Sequence, residues 1–160
     1  MNLTYIFLIA LPLAITLIVA AVLDIKYREV HAWVWIPAAI LGGIGVSFGA
    51  YAPDEFWLHC LLINLGVCVL VMFAACANQV LLTIKKADKI YFGFADALCI
   101  FLISMLKPVT LGFPTILILG LISGSVLCLG YLIPGIQKRW EESCPFMVPL
   151  ALGGMACLLL

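Results

Sequence analysis

From Leu3 to Leu23 the chain reads LTYIFLIALPLAITLIVAAVL, without one charged residue. A helix that crosses the hydrocarbon core of a bilayer needs about 20 mostly apolar residues, and this run supplies them. Cutting the remainder at its charge clusters yields five further segments, approximately Trp33 to Tyr51, Phe56 to Ile84, Ile90 to Leu106, Phe113 to Ile133 and Pro145 to Leu160. The third is long enough to tilt or to extend beyond the bilayer. The sixth is short for a full span and either begins earlier, near Glu141, or penetrates part way. Composition agrees, with 66% hydrophobic and 10% charged residues, where an ordinary soluble domain carries about 25% charged residues. The expected fold is an all-α membrane protein, a polytopic bundle of about six transmembrane helices formed by residues 1–160 as a single membrane-embedded domain.

The first run differs from a secretory signal peptide. Only Met1 and Asn2 precede it, so there is no positive n-region, and it is longer than a signal h-region. It is expected to be a retained helix.

Basic residues set the expected orientation. Odd-numbered loops carry Lys26 and Arg28, then Lys85, Lys86 and Lys89, then Lys138 and Arg139, whereas the even loops carry only Lys107. The excess of Lys and Arg marks the cytoplasmic side, which puts the odd loops inside, Asp54, Glu55 and His59 outside, and the protein in the cell membrane as a multi-pass chain. Eight basic and eight acidic residues cancel, so neither a nucleic-acid partner nor an acidic tail is implied. The seven cysteines form no Cys-x-x-Cys pair and, in apolar runs, behave as small hydrophobes. No metal site or cofactor motif is written here.

Against that background two carboxylates stand out. Asp24 ends the first segment and Asp96 opens the fourth, in the stretch YFGFADALCI. On this topology both lie at cytoplasmic helix ends, at one membrane depth. Two facing aspartates in a poorly solvated site share a proton; one then acts as the base that activates water and the other as the acid that hydrogen-bonds the scissile carbonyl. This is aspartic-protease chemistry and needs no metal. Helix dipoles suggest a division of roles: the start of the fourth helix favours an anion at Asp96, and the end of the first disfavours one at Asp24, which is therefore expected to hold the shared proton. The alternative for each residue alone is structural, Asp96 as an N-cap and Asp24 as an interfacial carboxylate beside Lys26 or Arg28.

The segments LDIKYREVHAWVWIP, GFADA and CPFMVPLALGG, in this order and spacing, resemble the type IV prepilin peptidase family. These are the GxGD aspartic proteases of the membrane, and the likeness is to the compact archaeal preflagellin and prepilin peptidases. The resemblance implies Asp24 and Asp96 as the catalytic pair and Gly93 as the motif glycine, with Ala95 replacing the second glycine. Small residues at Gly93 and Ala95 would let backbone or substrate approach the aspartate closely, and glycine also reaches conformations that other residues avoid. Ala97, Leu98 and Cys99 follow where bacterial members often have a lysine. The resemblance further implies a substrate with a short basic leader ahead of a hydrophobic helix, a prepilin- or preflagellin-like protein cut at the cytoplasmic face. Glu29, Asp88, Glu141 and Glu142 on that face could attract the leader; the alternative for each alone is an ordinary solvated loop charge. No N-methyltransferase activity is expected: the connection from Ile25 to Ala32 is short and lacks the cysteine pair of bifunctional members.

Other polar residues read as structural. Asn64 and Asn78 are fourteen apart, close to whole helical turns, and are expected to hydrogen-bond a neighbouring helix. Trp33, Trp35, Trp57 and Trp140 read as interface anchors. Competing functions are a small proton-coupled transporter using the same aspartates, a non-catalytic membrane protein of pilus or secretion assembly, and a presenilin-like protease; the last lacks its Pro-Ala-Leu motif, having Pro149-Leu150-Ala151.

Overall fold

The computed structural model describes residues 3–27, 30–48, 54–85, 93–136 and 146–160. Arg28, Glu29, Lys86, Asp88, Lys89, Lys138, Arg139, Trp140, Glu141, Glu142, Cys144 and Pro145 lie outside these residues. Six main helices account for most of what is described. They are α1 (Leu3–Tyr27), α2 (Ala32–Ser47), α3 (Glu55–Lys85), α4 (Phe94–Leu106), α5 (Thr115–Leu132) and α6 (Met147–Leu159). The chain is thus predominantly helical. Three helices are long and apolar enough to cross a membrane: Leu3–Tyr27, Glu55–Leu81 and Thr115–Leu132. The other three described helices are shorter and apolar; the 13 residues of α4 rise about 20 Å, less than the ~30 Å of a hydrocarbon core.

Local chemistry explains the irregular turns. In α1 a π-type turn at Ile6–Ala10 precedes Pro12, whose missing N–H and bulky ring disturb the regular ladder one turn upstream. A tight 3₁₀ turn, Ala32–Trp35, opens α2, and Pro37 sits in the first turn of the α-helix that follows, where its absent N–H is harmless. Asp54 caps α3 by accepting the Trp57 N–H at 2.6 Å. Pro108 stops α4. Beyond it an antiparallel hairpin pairs β1 (Val109–Thr110) with β2 (Phe113–Pro114). Its two turn residues, Leu111 and Gly112, have φ of 52° and 73°, the left-handed pair that a two-residue hairpin requires. Phe113 therefore belongs to the hairpin, and the fifth helix starts at Thr115.

α4 is the central helix, packed against α2, α3, α5 and α6, while α1 packs on α2 and α6. Their shared core includes Leu13, Leu17 and Ala20 of α1, Cys99, Leu102 and Ile103 of α4, and Met147, Leu150 and Cys157 of α6. Glycines set the close crossings. Gly42 of α2 lies directly against the Leu106 side chain, Gly45 against Leu8 and Ile9, and Gly153 against Ser123 and Leu119 of α5.

The end of the bundle carrying the hairpin is tied by one side chain. Fully buried Asn64 of α3 donates to Ser104 O at 3.0 Å and Pro108 O at 2.9 Å, and its Oδ1 accepts the Ile116 N–H at 3.3 Å. It thus satisfies groups that α4 leaves at its C-terminus and α5 at its N-terminus. Thr110 and Thr115 bond hydroxyl to hydroxyl at 2.9 Å beside it, and the Lys107 ammonium donates to Cys157 O at the C-terminal end of α6. Asn64→Leu strands these partners in an apolar setting and is expected to cost about 3 kcal/mol, read as a lowered midpoint in a denaturing-detergent titration. The sequence expectation that Asn64 faces a neighbouring helix holds, with a cap role added; Asn78 is half-exposed.

Candidate functional site

Depth along the helices can be counted from one crossing. A Cβ on Gly154 of α6 would lie 2.7 Å from Ile103 Cδ1 of α4 and 2.9 Å from Leu17 Cδ1 of α1, so three helices meet there. Seven residues separate Leu17 from Asp24, Ile103 from Asp96 and Gly154 from Met147. At 1.5 Å per residue all three positions lie about 10 Å from the crossing. They share one end of the bundle, opposite the Asn64 network.

Both aspartates are half-buried there. Asp24 Oδ2 accepts the backbone N–H of Met147, the first residue of α6, at 3.1 Å. Asp96 Oδ2 accepts the Gly93 N–H at 2.7 Å. Asp96 is therefore the third residue of α4 reaching back to its N-cap, one half of a capping box, and not itself the N-cap; glycine has no side chain to supply the other half. The two carboxylates share this end of the bundle although 71 residues lie between them in the chain. Fully buried Cys99 lies one turn further along α4.

The dipole argument for the resting proton is weakened by this geometry. Asp24 lies in the last turn of α1, but its carboxylate accepts an N–H at the start of α6, so a positive helix end offsets the negative one there, whereas Asp96 meets only a positive end. Lys26, one of its suggested neighbours, has its ammonium over the Tyr27 ring, 4.9 Å from the centroid.

Gly93 has φ −107° and ψ 174°, an extended conformation open to any residue. A Cβ there would meet only Asp96 Oδ2, at 3.7 Å. Neither backbone freedom nor packing of the fold calls for glycine, so an effect of bulk here must arise at the site itself. Gly93→Ala is expected to hold stability within about 1 kcal/mol, measured by thermal or detergent unfolding. Ala95 is half-buried and packs against the core.

Two features escaped the sequence reading. The Met147 amide has no signal in its own residue type, although the Pro145-Phe146 landmark places it at a helix start. Trp35 is the second. It is 2% exposed and part of the core, whereas Trp33 is 65% exposed. Trp33 suits an interface anchor; Trp35 does not, because residues two apart on a turn of three residues point in different directions.

The chain was compared with family models, with curated proteins and with solved structures, and none of them matches it.

Proposed function

We propose that this chain is a membrane aspartic endopeptidase that removes the short basic leader of prepilin- or preflagellin-like proteins at the cytoplasmic face, with Asp24 and Asp96 as its dyad. The observation that carries the reading is geometric: Asp24 and Asp96, two half-buried carboxylates from distant parts of the chain, lie at one depth at the same end of the bundle. In this reaction one carboxylate takes a proton from water as the water oxygen attacks the scissile carbonyl carbon. The protonated partner gives its proton to the carbonyl oxygen. Collapse of the tetrahedral diol breaks the C–N bond: the proton held by the base passes to the leaving nitrogen, and one diol hydroxyl returns its proton to the carboxylate that gave one, which restores the carbonyl and the shared proton. The six-helix reading supports a site near the membrane surface, where a leader could reach it from water while the following apolar helix stays in lipid.

One observation favours a structural role: each aspartate accepts an N–H at a helix N-terminus. Under that reading the chain is an assembly protein whose aspartates only cap helices. The test is processing of a preflagellin- or prepilin-type substrate by membranes containing wild type, Asp24→Asn or Asp96→Asn. Cleavage by wild type and loss in both folded variants supports the peptidase; normal cleavage by the variants overturns the dyad.

A further inference from the structure

The Trp35 indole N–H is fully enclosed and has no hydrogen-bond acceptor among the described residues. An indole nitrogen is a donor only, so it cannot be satisfied by turning, as a hydroxyl can. Buried donors are almost always paired, so an exception in a native fold marks a place to look for a functional partner.

Its place in the bundle says where that partner enters. The 3₁₀ turn Ala32–Trp35 packs against both α1 and α4, the two helices that carry the aspartates. Gly42, seven residues after Trp35, lies against Leu106, which is seven residues after Cys99. Since the turn and Gly42 both touch α4, the two helices run side by side, and Trp35 stands level with Cys99, one turn inside Asp96. Trp35 donates to neither carboxylate. At 2% exposure it does not face the lipid, which excludes the headgroup contact usual for an interfacial tryptophan.

We propose that the Trp35 indole N–H is a substrate-binding donor that donates to a backbone carbonyl oxygen of an extended peptide when the peptide enters between α1 and α4 beside Asp24 and Asp96. An extended segment presents carbonyls on both sides and lacks the internal hydrogen bonds of a helix, so it brings an acceptor that the described residues do not supply. The inference rests on the peptidase reading for the kind of ligand, and its test does not depend on turnover.

The probe is a synthetic peptide with a basic segment followed by an apolar run, added to the full-length Asp96→Asn protein in micelles. The chain has four tryptophans, giving four indole ¹⁵N–¹H signals, and the Trp35 signal is the one lost in Trp35→Phe. Peptide is expected to move the Trp35 proton downfield, and Trp35→Phe on the Asp96→Asn background is expected to weaken peptide binding about tenfold. An unmoved Trp35 signal at saturating peptide, equal binding with Phe at this position, or no binding of the peptide at all overturns the proposal. If Trp35→Phe fails to fold, selective labelling assigns the signal and the shift alone decides. Should the peptide bind and move the Trp35 signal while wild type leaves it uncut, the peptidase reading falls and the donor stands.

Discussion

Asp24→Asn and Asp96→Asn are each expected to lower substrate processing by at least about 10²–10⁴-fold, the usual contribution of a positioned acid or base. The double variant is expected to fall no further, because groups that act as one unit are lost together. The substitution is chosen for what it keeps. An asparagine side-chain oxygen can still accept the Met147 N–H at position 24 and the Gly93 N–H at position 96, so the starts of α6 and α4 remain held. What disappears is the titratable proton. The charge–dipole share that asparagine forfeits is about 0.3–1 kcal/mol per site. Alanine makes the opposite experiment. Asp96→Ala removes the bond to the N-cap and is expected to cost about 1 kcal/mol, measured by detergent unfolding beside Asp96→Asn. A protein whose aspartates only cap helices would be harmed by alanine and spared by asparagine; a dyad is disabled by both. Equal cleavage by wild type and the double asparagine variant would remove the catalytic assignment.

The helical segments were legible because lipid exposure makes a long apolar run its own signature. The run from Leu3 and the run from Phe56 correspond to α1 and α3, with ends displaced by a few residues. The hairpin was legible only as a break. Lys107, Pro108 and Gly112 left 107–112 between two segments, but nothing in the residue types showed that Val109 and Thr110 pair with Phe113 and Pro114 around the left-handed turn at Leu111 and Gly112. Asp24 and Asp96 were visible as charges with no apparent use in an apolar chain, and counting helices gave them one depth. Their partners were not visible. A backbone amide such as that of Met147 has no residue-type signature, and the packing that ties Asp24 to the start of α6 joins segments 123 residues apart. Trp35 was misread because tryptophan in a membrane chain is usually interfacial, and nothing in its type distinguishes the buried member of a Trp-Val-Trp turn from the exposed one.

Gly154→Val is expected to destabilise the bundle by about 3 kcal/mol and to abolish processing even in the folded fraction. The first carbon added at this position meets Ile103 of α4 and Leu17 of α1 at once, at 2.7 and 2.9 Å, and the two further methyl groups have less space still. Overpacking a core of this kind costs about 1–3 kcal/mol when one neighbour can move; here relief on one side presses on the other helix. The functional effect follows from the seven-residue count. Widening the crossing displaces α1 and α4 relative to α6 about 10 Å from Asp24, Asp96 and Met147, and a 1 Å error in a reacting geometry is worth about 10²-fold. The two effects separate in a milder pair. The nearest atom to the new Cβ is Ile103 Cδ1, which Ile103→Val deletes at a cost of about 0.5–1.5 kcal/mol on its own. Gly154→Ala combined with Ile103→Val is therefore expected to be more stable than the sum of the single changes predicts, by about 0.5 kcal/mol or more. A double-variant cycle run by detergent unfolding and by processing reads both quantities. Strict additivity in stability would show that α6 does not bear on α4 at Gly154, and with it the common depth of the two aspartates would lose its anchor.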